Sequence, residues 1–151
     1  MANTQAMCTS FKGELLVGHH NFGTGVVRAS TAADTFKAAL YLASATVNAS
    51  TTAYSSTGEV TGTNYTAGGA TVTNATAPAT NGTTAYWTPS ASISFSNVTL
   101  STAFDAVLIY NSSQSNKAVS VHTFGSQTVT AGTFTLTMPT NDSSTGLIRL
   151  A

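Results

Sequence analysis

Three histidines, five carboxylates and one cysteine are the side chains of this 151-residue chain from which metal, proton-transfer or thiol chemistry could be built near neutral pH. Their spacing does not assemble them. His19 and His20 are adjacent, so they cannot share an ion as an i, i+4 pair on a helix does unless the loop folds back, and His122 stands far away. The expectation is exposed histidines in a Gly/Asn loop, with no metal. Acid–base work needs two carboxylates, or a carboxylate beside an imidazole, yet Glu14, Asp34, Glu59, Asp105 and Asp142 are scattered without local pairing. Asp34 and Asp142 look like turn residues. Asp105, inside an apolar run, is the oddest and is expected at a strand edge or bonded to neighbouring backbone. A Gly-X-Ser-X-Gly elbow is absent, although a Ser/His/Asp triad is assembled in space and leaves no local mark. Gly23-Thr24-Gly25 and Gly68-Gly69 lack the lysine and the strand–helix context of a phosphate cradle. The reading is a protein without catalytic residues or cofactor. Cys8 has no partner for an internal bridge and is expected as a reduced thiol outside the core.

Two further groups could make contacts. Tyr54, Tyr65, Tyr86 and Trp87 lie in polar surroundings, where exposed rings could stack on a sugar or else cover the open ends of a sandwich. Met7, Phe11, Leu15 and Leu16 line one short segment that could dock on a neighbouring subunit or cap its own chain.

The elements that must position these residues follow from composition. Charged residues make up 7% of the chain against roughly a quarter in an ordinary domain, while hydrophobic residues reach 42%. Hydroxyls and amides must therefore form the surface. With zero net charge and a mean hydropathy of +0.12, the chain is not of the disordered class, and it lacks the repulsion that keeps proteins apart. No basic stripe offers a nucleic-acid surface, and no apolar run approaches the length of a membrane helix. The opening residues have neither the basic nor the apolar region of a secretory signal, so synthesis in a cytoplasm is expected.

Residues 1–20 read as an arm with a short helix over 9–16, where hydroxyls and Glu14 make a weak capping pattern. Residues 21–151 read as an antiparallel β-sandwich, jelly-roll or immunoglobulin-like, the whole forming one unit. Phe36, Ala38, Leu40 and Leu42 share one face of a strand. Short strands are predicted at 59–66, 70–74 and 83–88, with turns at Gly68-Gly69 and Asn81-Gly82. Further strands follow at 92–100, with a bulge near Asn97, then at 103–110, 118–124, 127–138 and 147–150. Val107-Leu108-Ile109-Tyr110 is apolar on both parities, as in a strand covered on both faces. In Thr133-Phe134-Thr135-Leu136-Thr137-Met138 the alternation is strict, so Phe134, Leu136 and Met138 face inward and the threonines outward.

Several of these phrases together are recognisable. They include Phe104-Asp105-Ala106-Val107-Leu108-Ile109-Tyr110-Asn111 continuing to Val119, Thr123-Phe124-Gly125-Ser126 continuing to Phe134, and Gly146-Leu147-Ile148-Arg149-Leu150-Ala151. With Asp34-Thr35-Phe36-Lys37-Ala38-Ala39-Leu40-Tyr41 and the stretch from Gly58-Glu59-Val60 to Gly68-Gly69, they cover most of the chain. The chain thereby resembles small structural proteins of tailed bacteriophages, the capsid-decoration and head–tail accessory proteins. The resemblance implies a non-enzymatic virion component, made in the host cytoplasm and present as a homo-oligomer. Its partners would be capsid, portal, neck or tail subunits rather than nucleic acid or membrane. A tail or fibre component touching the host, and a carbohydrate-binding sandwich module, are the alternatives.

Overall fold

The computed structural model describes residues 3–8, 10–11, 15, 19–20, 22, 33–74 and 76–150. Eight strands run through them: β1 Ala6–Met7, β2 Phe36–Leu42, β3 Ala70–Val72, β4 Ala79–Asn81, β5 Thr84–Trp87, β6 Ile93–Asn111, β7 Lys117–Leu136 and β8 Ile148–Leu150. They form two antiparallel sheets, one of five strands in the order β1-β7-β6-β2-β3 and one of three in the order β4-β5-β8. The fold is an all-β sandwich, as the strand spacing predicts. Ser10, Phe11 and Leu15 have helical backbone, and the rest of the helix expected over 9–16, Leu16 included, lies outside the described residues.

The dominant unit is the β6–β7 hairpin. Its strands run 19 and 20 residues, against roughly five or six in an ordinary strand. The four short strands expected at 92–100, 103–110, 118–124 and 127–138 are therefore two long ones, bent where the register shifts. One shift lies between Phe95 and Val98, where Asn97 takes a φ of 53°, at the expected bulge. Gly125 and Ala131-Gly132, expected as corners, lie within β7, and Ala131 bends it with a φ of 45°. A bulge keeps pairing continuous while kinking the strand, so sequence breaks need not end an element.

Directly opposed residues of an antiparallel pair share a face. The pairs Phe36↔Asn111, Ala38↔Ile109, Leu40↔Val107, Val107↔His122 and Ile109↔Ser120 thus mark one face of the large sheet. The small sheet packs on this face: Phe22 stacks on Phe36 at 4.7 Å and meets Trp87 of β5 at 4.9 Å. Residues 43–69 cover the opposite face, with Tyr54 stacked on Tyr110 at 4.7 Å and Tyr41 donating to the Ser55 carbonyl. Being covered twice explains why Ala39, Tyr41, Leu108 and Tyr110 are as buried as Ala38 and Ile109.

The strand expected at 59–66 is a covering loop touching strands through single bridges, Tyr41↔Glu59 and Thr63↔Thr99. Positive φ angles at Gly58, Asn64, Gly68 and Gly69 break up its extended backbone. At Gly69 the requirement is absolute, since a Cβ would lie 1.9 Å from the Ala38 carbonyl oxygen. The Asn81-Gly82 turn and the closing strand at the C-terminal end are where the sequence puts them.

Candidate functional site

Four places gather polar groups or unpartnered surface. The first is built on the covering loop. Glu59 is buried, and its Oε2 accepts from Tyr54 Oη at 2.6 Å while Oε1 accepts from Tyr65 Oη and the Gly68 N–H, each at 2.8 Å. Tyr65 Oη also accepts from the Leu40 N–H, and Tyr110 Oη donates to the Gly68 carbonyl. The positive φ of Gly68 turns its N–H inward onto the carboxylate. Burial, then the Glu59 contact, holds the Tyr54 and Tyr65 hydroxyls well above the ordinary phenol range. Burial pushes Tyr41 and Tyr110 up to about 12, with the Glu59 charge adding to it. Every oxygen of this carboxylate is engaged, so the cluster clamps the loop to β2 and β6.

A second cluster joins β2 to the β6–β7 turn. Asn111, fully buried, donates through Nδ2 to Asp34 Oδ2 at 2.8 Å and lies 3.2 Å from His20 Nδ1. Gln114 Nε2 donates to Asp34 Oδ1 at 3.2 Å. Asp34 is therefore a buried anchor rather than a turn residue, and His20, expected to be exposed, lies in the core beside Phe11, ring centroids 4.7 Å apart. His19 is exposed, as expected.

The third lies at the edge between the sheets, an open cleft of about 290 Å³ walled by Ile93, Val107, Phe124, Phe134, Leu136 and Leu147. His122 lines it, with Nε2 2.9 Å from Ser120 Oγ. Desolvation lowers the His122 pKa to about 4, so the imidazole is neutral at physiological pH. Ser120 is buried behind the ring and does not line the cleft, so its hydroxyl braces the imidazole instead of facing a bound molecule. Asp105 is elsewhere: it fills the bulge in β6 opposite β2, where Asn3 Nδ2 donates to its Oδ1. Asp142 holds its own turn, accepting the Thr145 and Ser144 N–H groups, which lower its pKa. Among the described residues no three His, Cys, Asp or Glu side chains come together as a metal set.

The aromatics singled out in the sequence do not form one platform. Trp87 is 2% exposed and donates its indole N–H to the Thr76 carbonyl, while Tyr54 and Tyr65 are half-buried with their hydroxyls on Glu59. Tyr86 lines a separate apolar cleft together with the buried Trp87, near Leu15 and Leu150. Phe11 is fully buried against His20 and Phe22, and Met7 sits in β1 opposite Ser120, so both belong to this chain's own packing. Leu15 is half-buried at the same cleft as Tyr86. Cys8 is also buried, because β1 carries it across β7 and its N–H donates to the Val119 carbonyl.

The fourth place is the outer half of the β6–β7 hairpin, which carries none of the chemistry-bearing side chains that mark a site in the sequence. From residue 93 to 104 and from 118 to 141 the sequence carries no Asp, Glu, Lys or Arg. Thr128, Thr130, Thr133 and Thr135 are exposed on β7, and Phe124, Phe134 and Leu136 are only half-buried. The signal for it was the charge-free span combined with strict alternation. No protein family, curated protein or solved structure matches the chain.

Proposed function

We propose that this chain is a non-enzymatic structural protein of a tailed-bacteriophage particle, a capsid-decoration or neck accessory protein that acts in symmetric copies. The observation that carries the reading is the outer β6–β7 hairpin, a long charge-free surface of threonines on one side and half-buried aromatics on the other. Such a surface meets a neighbour without stripping water from an ion, and repetition over many copies multiplies a weak contact. The resemblance noted in the sequence supplies the particle. A sugar-binding role has less support, because Trp87 is buried and the Tyr54 and Tyr65 hydroxyls are committed to Glu59.

Gel densitometry of purified virions, with imaging of antibody-labelled particles, tests the reading. A copy number comparable to that of the major shell protein supports decoration, and one comparable to the portal supports the neck. Absence from the particle overturns the reading.

A further inference from the structure

The two edges of the outer hairpin are treated differently. The β6 edge is closed by this chain: Thr63 and Thr99 exchange N–H···O bonds of 3.2 and 3.1 Å, and Asn64 Nδ2 donates to the Asn97 carbonyl at 2.8 Å. Gly62 lies so close that a Cβ would fall 2.0 Å from the Thr99 oxygen. Among the described residues, the β7 edge is closed only at its beginning. There the Tyr54 N–H reaches the Asn116 carbonyl, the Ala118 N–H reaches Thr52, and β1 pairs with Ser120 and Val121. From Thr123 to Leu136, among the described residues, two backbone groups of β7 bond outside the β6 ladder. The Gly125 carbonyl takes Gln127 Nε2, and the Ala131 N–H turns to Thr99 Oγ1 on the β6 side.

Natural sheets defend such an edge with lysine, proline or a bulge. Bulges occur here around Gly125 and at Ala131, but beyond Ala131 the strand is regular, with Phe95↔Phe134, Ser94↔Thr135 and Ile93↔Leu136 in step. No charge or proline guards Gly132 to Leu136. This stretch is also a short palindrome, Thr133-Phe134-Thr135.

We infer that the β7 edge from Gly132 to Leu136 pairs antiparallel with the same edge of a second copy, about a two-fold axis at Phe134. In that register Thr133 faces the second copy's Thr135 on the exposed side, Phe134 faces its own copy, and Leu136 fits over Gly132. The contact is isologous, so one patch serves both subunits. Because the strand is neutral, two copies bring no like charges together, which is what singles out self-pairing over a charged partner. Phe134 and Leu136 wall the His122 cleft, so the pairing joins the clefts of the two subunits along one apolar floor. The inference gives the structural-protein reading its subunit contact and rests on that reading only for its use in a particle.

The test is sedimentation equilibrium of the full chain over a concentration series, with far-UV circular dichroism confirming the fold. The wild type should show concentration-dependent dimers. Thr133→Lys with Thr135→Lys, which opposes like charges twice across the axis, should weaken dimerisation by at least about tenfold. Thr133→Lys with Thr135→Glu, which opposes unlike charges in this register only, should restore it. A wild type monomeric throughout, a double-lysine variant that dimerises like wild type, or equal loss in both variants would overturn the pairing. Virion content reports separately: a self-pairing protein absent from particles defeats the particle reading alone, and a monomer found in particles defeats the pairing alone.

Discussion

Glu59 shows how a single residue can organise a region with little regular structure. Removing its carboxylate leaves the Tyr54 and Tyr65 hydroxyls and the Gly68 N–H without their acceptor, and each buried orphan costs roughly 1–3 kcal/mol. Glu59→Ala is therefore expected to lower stability in urea denaturation by about 3 kcal/mol or more, and Tyr54→Phe, which removes one donor, by about 1 kcal/mol. His122 makes a pH-dependent counterpart. Its folded pKa is depressed from 6.5 to about 4, so the unfolded chain binds the proton first as the solution is acidified. The stability present above pH 6.5 is lost as pH falls toward 4, by roughly 3 kcal/mol for the full shift. Urea midpoints measured at steps across this range should fall more steeply for wild type than for His122→Gln. Neither role was legible in the sequence, because Glu59 meets partners on either side of it through turns, and His122 is desolvated by cleft residues such as Phe134 and Leu136 that only the folded hairpin brings to it.

At the scale of elements, legibility followed periodicity. Thr133 to Met138 alternate as the pattern requires, and Val107 to Tyr110 are buried on both faces as their apolar run implies. Asn97 marked its bulge because a parity change needs an extra residue. What failed was the reading of 59–66 as a strand, where Val60 and Tyr65 suggested extension but the left-handed Gly58 and Asn64 bend the chain into a lid. The lid fits through glycine. Gly69→Ala would set a methyl group 1.9 Å from the Ala38 oxygen and strain a φ of 73°, so a loss of about 3 kcal/mol or more in thermal or urea unfolding is expected, whereas Gly82→Ala, open to solvent, should lose about 1 kcal/mol. The N-terminal segment was ambiguous between arm and cap because Phe11 is apolar in either case. Its burial against His20 and Phe22 depends on contacts beyond the segment itself.

For the whole molecule, the scarcity of charge now has a location. Described charged residues such as Asp34, Glu59 and Asp105 are tied into internal bonds, and the outer half of the long hairpin carries no charge. An assembly made through that surface should be nearly indifferent to screening, so raising salt about tenfold is expected to leave the protein on particles, checked by pelleting and blotting, and release would contradict a neutral contact. The pairing of β1 with β7 has a further consequence, in the order of synthesis. Asn3 and Asp105, bonded in the fold, are 102 residues apart, and Ala6 waits still longer for Val121. The segment made early thus has no edge to join until β7 has emerged, and contacts of such separation form slowly. During that interval the unpaired β1 can instead join the β7 of a neighbouring chain whose synthesis is further advanced. Crowded synthesis would therefore raise the share of exchanged arms.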